Sequence, residues 1–321
     1  MKSSFLCSYA LSACAAAALL AGCGGSQQPI GPPGAIPQTS ALATRAERGK
    51  SWMVPKAKGE SLLYVPNSDP SGGGYVSVYS YPHGDLVGTL TAFSNPDGAC
   101  VDNVGNTYIT DEIARDITEY THGGTQSIKT LADSGQPVGC AVDPITGNLA
   151  VANVGGTVAI YRNASGNAKY VYFSTEGDAY FCGYDHSGNL FVDGLSYQGL
   201  DDLFQLAQLP RGKRNFEVIS INQTVESPGQ VQWDGKYLAV GDAEQRLIYR
   251  ISVTGTFGVV EKTVQLVDGG ANGFLIRGGR LIDASYFYGE IQYFKYPAGG
   301  SATKVITEGS SAPASAAISL K

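Results

Sequence analysis

The chain has 321 residues, 43% of them hydrophobic and 16% charged, and a formal net charge of −6. That length and apolar content can bury a large core, while the acidic balance and the lack of a basic stripe interleaved with aromatics argue against nucleic acid as a partner. The 42 glycines and 19 tyrosines, with frequent Val, Ile and Thr, point to many short strands joined by tight turns.

Lys2 opens a short apolar run from Phe5 to Leu20 that ends in Leu20-Ala21-Gly22-Cys23. The run is short for a spanning helix. Its ending resembles the bacterial lipobox, which implies a signal peptide over residues 1–22, a mature chain that begins at a lipidated (palmitate-bearing) Cys23, and a membrane partner through that anchor. Gly24 stands where an aspartate would imply retention at the inner membrane, so the resemblance favours the outer membrane of the cell envelope. Residues 23–59 read as the lipidated cysteine and a flexible tether, rich in Gly, Pro, Gln, Ser and Ala and without sustained periodicity. Within it Trp52-Met53-Val54 is apolar enough to dock on a folded body.

From residue 60 to 321 one plan recurs six times: a short apolar strand, a turn, a second strand closing in a small polar residue, a Gly-containing turn, a third strand and an outer strand. The second strands are LLYVPN (ending Asn67), TYITD (Asp111), LAVAN (Asn153), LFVDG (Gly194), LAVGD (Asp242) and LIDAS (Ser285). Spacings of this kind suit a propeller blade, and six copies predict an all-β, six-bladed β-propeller. The first strands are GACVD, GCAVD, CGYD, VQWD, FLIR and AAISL. AAISL lies at the C-terminus and precedes no second strand, while the first repeat lacks a first strand. The ring is therefore expected to close by the C-terminal strand completing the first blade, which removes open edges.

The phrases VDNVGNTYITD, VDPITGNLAVAN and YDHSGNLFVDG resemble the six-bladed propeller superfamily that includes NHL-repeat, TolB-like and SMP-30/gluconolactonase proteins, over residues 60 to 321. The resemblance speaks for fold and not for activity. SMP-30-like lactonases place a divalent metal such as calcium over the channel with Glu, Asn and Asp ligands. Here Pro96-Asp97-Gly98 and Asn272-Gly273 resemble two of those contexts, and Glu226 resembles a third out of place. Asp97 and Asn272 are thus the metal candidates. In register, the rim positions are Asp97, Val138, Tyr180, Gly229, Asn272 and Ala314, and only two carry oxygen ligands, against the six or so a hard cation takes. Asn67, Asp111, Asn153 and Asp242, which close second strands, either cap strand ends or form a polar ring around a ligand.

Asp102, Asp143, Asp185 and Asp234 recur at the first hairpin and read as acceptors for turn amides. Tyr180, Tyr197, Tyr286 and Tyr288 fall near loops and offer a stacking surface, whereas Tyr184 and Trp233 share a register with core positions. Of the cysteines, Cys100, Cys140 and Cys182 belong to the body, so at least one thiol stays free. Cys140 and Cys182 share a register, but strands of neighbouring blades are expected to be too far apart to bridge, leaving small buried thiols. His83, His122 and His186 lie in separate turns without a nucleophile motif, and no phosphate-binding glycine loop is present. Two functional readings result. A non-enzymatic envelope lipoprotein presenting a propeller to a protein or glycan partner is favoured; the alternative is a metal-dependent lactonase or hydrolase of SMP-30-like type.

Overall fold

The computed structural model describes residues 49–69, 73–174, 176–198 and 201–321. The expected signal (residues 1–22), Cys23 and tether residues 24–48 lie outside them. Among the described residues the architecture is all-β, with brief 3-10 turns, and no helix is long and apolar enough to cross a membrane.

The strands follow the six sequence repeats. Repeat one contributes β1 (Trp52–Met53), β2 (Ser61–Asn67), β3 (Tyr75–Tyr81) and β4 (Leu86–Leu90), and repeat two β5 (Pro96–Val101), β6 (Thr107–Asp111), β7 (Asp116–Tyr120) and β8 (Ser127–Ala132). Repeat three holds β9 (Gln136–Val142), β10 (Leu149–Val154), β11 (Thr157–Tyr161) and β12 (Lys169–Tyr172), and repeat four β13 (Gly177–Tyr184), β14 (Leu190–Gln198), β15 (Asp201–Leu209) and β16 (Glu217–Ile221). Repeat five holds β17 (Pro228–Trp233), β18 (Leu238–Asp242), β19 (Leu247–Thr254) and β20 (Phe257–Val267). Repeat six holds β21 (Gly273–Arg277), β22 (Arg280–Ser285), β23 (Glu290–Lys295) and β24 (Gly299–Ile306), and β25 (Ala317–Ser319) ends the chain. Within each repeat the strands pair antiparallel in chain order. The outer strands β16, β20 and β24 also touch through two-residue parallel pairings, which joins repeats four to six into a 12-stranded sheet.

The C-terminal strand behaves as expected. β25 pairs with β2, Leu63 opposite Ile318, and so supplies the first strand that repeat one lacks. Repeat one departs from expectation at its outer edge by one added strand. β4 is the outer strand that the repeat plan calls for, and β1 adds an unexpected fifth strand by pairing Trp52 with Thr89. The body therefore begins before residue 60: Met53 packs over Gly88, where a Cβ would stand 2.3 Å from its sulfur, and Ala57 is fully buried.

The core sits between repeats, because alternate side chains of a strand point to opposite faces. Leu62, Tyr64, Val76 and Val78 of repeat one pack with Ile109 and Tyr120 of repeat two. On the other face, Leu63, Val65 and Tyr79 pack with Ile282, Ala284, Ile291 and Tyr293 of repeat six. Similar apolar clusters fill the seams between repeats two and three, three and four, four and five, and five and six.

Buried acids fix the loops that lead into the inner strands. Asp111 accepts from the backbone N–H of Ser94 (2.6 Å) and Asn95 (2.9 Å), Asp242 from Glu226 (3.0 Å) and Ser227 (3.3 Å), and Asp283 from Gly270 (2.6 Å). Asn67 does the same for Ser311 (2.9 Å). Turns at the opposite ends are held by Asp102, Asp143, Asp185 and Asp234, each accepting from amides two to four residues on, as the sequence pattern implies.

One expectation fails outright. Cys100 on β5 and Cys140 on β9 form a disulfide with a Cα–Cα distance of 5.8 Å, while Cys182 is free and buried. Neighbouring repeats approach closely here because glycine permits it: a Cβ on Gly98 would meet the Val138 carbonyl oxygen at 2.5 Å. The two cysteines meet although they stand at different offsets from the following aspartate, Cys100 two residues and Cys140 three residues before it.

Candidate ligand-binding site

The inner strands converge side by side, and glycines set their spacing. A Cβ on Gly139 would strike the Tyr180 carbonyl oxygen at 2.3 Å, one on Gly229 that of Ala271 at 2.2 Å, and one on Gly273 that of Ala314 at 1.9 Å. Ser315 then donates through Oγ to the Asp97 carbonyl (2.6 Å), linking the last inner strand to that of repeat two. At the end where the lead-in loops gather, these strands frame a cavity of about 490 Å³. That is the size of a small-molecule site.

The rim positions read from the sequence meet there. Asp97, Val138, Tyr180, Asn272 and Ala314 all line the cavity, and Pro228 and Gln230 line it on either side of Gly229. One wall is polar. Ser68 Oγ donates to Asp97 Oδ1 (2.5 Å) and lies 2.9 Å from the Pro96 carbonyl. Asn95 Nδ2 is shared between Asp97 Oδ2 (3.2 Å) and Glu112 Oε2 (2.8 Å), while Asn95 Oδ1 accepts from the Asp69 amide (2.8 Å). Burial, reinforced by the nearby carboxylates of Glu112 and Asp111, raises the Asp97 pKa from 3.8 to about 7 against the opposing Ser68 hydrogen bond. Near neutral pH this carboxyl exchanges between a donor and an acceptor.

The facing wall is apolar and aromatic, with Tyr180, Phe181, Leu195, Tyr286 and Phe287. Tyr286 and Phe287 meet edge to face with ring centroids 5.8 Å apart, and Phe287 is 76% exposed. Tyr180 and Tyr197 both donate to Asp178 Oδ2, which also holds the turn at Gly155 through its other oxygen (2.7 Å). Burial and these bonds push the Tyr180 hydroxyl up, so it stays protonated and donating.

Other sequence candidates fall elsewhere. Glu226 lines a separate groove with Leu203, Phe204 and Val218, because the Asp242 cap holds its backbone and turns it away from Asp97 and Asn272. Asn67, Asp111 and Asp242 are buried caps of loops and do not line the cavity; Asn153 is buried against Gly135. The polar ring is thus a set of braces, and its effect on the cavity is indirect: Asp111 aims Asn95, and Asp242 presents Ser227. Among the described residues no group of three or more His, Cys, Asp or Glu is arranged to hold a metal ion.

Sequence reasoning missed Ser68, Asn95, Glu112 and Gln230. Asn95 and Ser68 stand next to residues that were singled out, and the lead-in loop before Asp97 was the available signal. At the cavity the hydroxyl of Ser68 is paired with the carboxyl of Asp97, and no histidine is among the described residues that line it. His122 does lie 2.7 Å from Ser319 Oγ, but Ser319 is fully buried and donates to Gly105 O (2.6 Å), while the other ring nitrogen faces Glu60 O (3.0 Å). That contact fastens the C-terminal strand.

No protein-family model matches the sequence, and no curated protein sequence does. Solved structures do. A structure described as a nidogen/laminin complex matches with a TM-score of 0.63 at 11% identity, covering 81% of this chain and 98% of that one. A Bacteroides caccae protein of unknown function matches at 0.60 and 11%, covering 82% and 100%. The β-propeller domain of Myceliophthora thermophila Cps50 (Swd1) matches at 0.55 and 11%, covering 83% and 88%. At such identity the likeness establishes the fold, a β-propeller, and nothing about activity.

Proposed function

We propose that the chain is a cell-envelope lipoprotein, anchored through Cys23, whose six repeats close into a six-bladed propeller that binds a neutral polyhydroxylated ligand, such as a saccharide unit, at the channel mouth. Closure is supported by the apolar seam between repeats one and six, the β2–β25 pairing and the Ser315 link to Asp97. The extracytoplasmic address is supported by the lipobox-like Leu20–Cys23 and by the Cys100–Cys140 bridge, since such bonds persist in oxidising compartments.

The single observation that carries the binding reading is the cavity itself. Asp97, Glu112, Asn95 and Ser68 on one wall face Tyr180, Phe181 and Phe287 on the other. A sugar ring presents hydroxyls at its edge and C–H groups on its face, and those two walls match them. The test is calorimetry and thermal shift on the full chain against a panel of neutral saccharides. Binding that is lost in both Asp97→Ala and Phe287→Ala supports the reading, and binding that survives both overturns it. Cys23→Ser should move the protein from the membrane to the soluble fraction.

A metal-dependent lactonase remains the second reading, because Asp97 and Asn272 do line one cavity. Glu226 does not join them, so that reading needs another donor. A calcium-dependent melting shift lost in Asp97→Ala would favour it over a saccharide scaffold.

A further inference from the structure

Charge is divided between the two ends of the repeats. Strand alternation places the turns joining first to second and third to fourth strands at one end, the hairpin face, and all lead-in loops at the cavity end. Contacts between neighbouring turns, such as Asn103 Nδ2 to the Pro144 carbonyl (3.1 Å) and Gln208 Nε2 to the Gly255 carbonyl (2.6 Å), hold the hairpin turns of successive repeats side by side.

Exposed cations gather on that face. Repeat four carries Arg211, Lys213 and Arg214 in one turn, with Arg162 on repeat three and Lys236 on repeat five. Repeat six adds Arg277, Arg280 and Lys295, and strand register sets Arg280 opposite both of the others. Asp102, Asp143, Asp185 and Asp234 accept backbone amides there and keep their charge, with Asp234 paired to Arg250 at 2.7 Å, Glu60 3.9 Å from Lys56, and Asp85 and Glu217 at the same end, but the exposed cations outnumber these carboxylates. The cavity end is the reverse. Its exposed charges include Glu176, Asp202, Glu226, Glu244, Asp268 and Glu308, against Arg115 and Arg246.

From the cavity end, where Gly49 and Ser51 bond Thr91, the described chain runs along β1 to a 3-10 turn at the basic face. Lys56 and Lys58 are exposed on the 3-10 turn before β2, Lys58 packs over Gly123 in a hairpin turn of repeat two, and Lys321 ends the chain near Gly59.

We propose that the hairpin face docks on an anionic lipid surface, with the cavity turned outward. The acidic cavity end is repelled by the same surface, so charge sets the orientation as well as the contact. The docking is separate from the acyl anchor and does not require it.

The test therefore uses the full chain carrying Cys23→Ser, so that lipidation cannot contribute. Cosedimentation is measured with phosphatidylcholine vesicles, with and without phosphatidylglycerol, at low and high salt. Binding is expected only to the anionic vesicles and is expected to weaken with salt. The triple variant Arg211→Glu, Lys213→Glu, Arg214→Glu should bind at least about 100-fold more weakly, given the usual contribution of each basic residue near such a surface. Its melting temperature should be unchanged, since all three residues are exposed. Arg115→Glu with Arg246→Glu, on the cavity end, should bind no more weakly than the parent. Equal binding to both vesicle types overturns the proposal. So does full binding by the triple variant, which would assign the contact to the N-terminal cations. Retention on a sulfated polysaccharide without vesicle binding would assign the face to a soluble polyanion instead, and also overturns it.

Discussion

Asp97→Asn isolates the electrostatics of the cavity wall. The substitution keeps the shape and can keep the hydrogen bonds: an amide oxygen turned to Asn95 Nδ2 still accepts, and Ser68 is free to donate to the Pro96 carbonyl 2.9 Å away. What changes is ionisation. The folded carboxyl titrates at about 7 against an ordinary 3.8, chiefly through burial. The folded state therefore holds the proton more tightly than the unfolded chain. Its stability is full below the ordinary value, falls as pH rises through the interval, and levels off above about 7. The interval corresponds to about 4 kcal/mol at most, and water in the open cavity reduces this to about 2–4 kcal/mol. Asparagine does not titrate. The stability of Asp97→Asn minus that of the parent should thus rise by about 2–4 kcal/mol between about pH 4 and about pH 9, measured by urea unfolding across that range. Asp193 and Asp283, also raised by burial, are common to both proteins and cancel in the difference. A difference that stays flat with pH would refute the reasoning, and would mean that Asp97 is solvated or already neutralised.

Deleting residues 311–321 removes β25, the Ser315 link and Ile318 from the seam with repeat six; the truncated chain should aggregate or lose its cooperative melt, and an unchanged melt by calorimetry would rule out closure by that strand. Replacing Cys100 and Cys140 by serine should cost about 4 kcal/mol, from a crosslink spanning 40 residues. Reductant should lower the melting temperature of the parent towards that of this double variant and leave the variant unmoved. Cys182, whose thiol is pushed up to about 12 by burial, should resist alkylation in the native protein and take up one equivalent once unfolded.

Much of the fold was legible because the repeat writes the same physics six times. Alternating apolar residues marked the second and third strands, and Asp before a Gly turn marked the first hairpins. The unpaired AAISL at the end of the chain pointed to its partner, LLYVPN. What escaped was not written periodically. β1 in repeat one has no equivalent elsewhere, and the disulfide depends on glycine-permitted closeness that spacing from the next aspartate does not reveal. The cavity shows the same division. Rim positions such as Asp97, Tyr180 and Asn272 followed from register. Of their neighbours, Asn95 comes from a loop whose course is set by the buried Asp111 of the next strand, and Ser68 and Glu112 follow directly on the strand ends at Asn67 and Asp111, so no local pattern in the chain marks them as cavity residues. Glu226 was misplaced for the same reason.

The two-residue strand β1 would have a mechanical consequence if the protein is anchored through Cys23 as proposed. Any pull arriving from the N-terminus loads β1 first, which is held at the outer edge of repeat one by Trp52 and Met53 opposite Thr89 and Gly88, by Ser51 and Gly49 at Thr91, and by Val54 at the Val87 carbonyl. Between it and β2 lie residues 54–60. Peeling β1 from β4 and straightening residues 52–60 would turn them into a strap about 30 Å long when fully extended, and β2, β25 and the seam to repeat six would carry no load until it was taut. The edge strand would thus act as a reversible shock absorber: it would yield before the β2–β25 pairing does, and could snap back when tension falls.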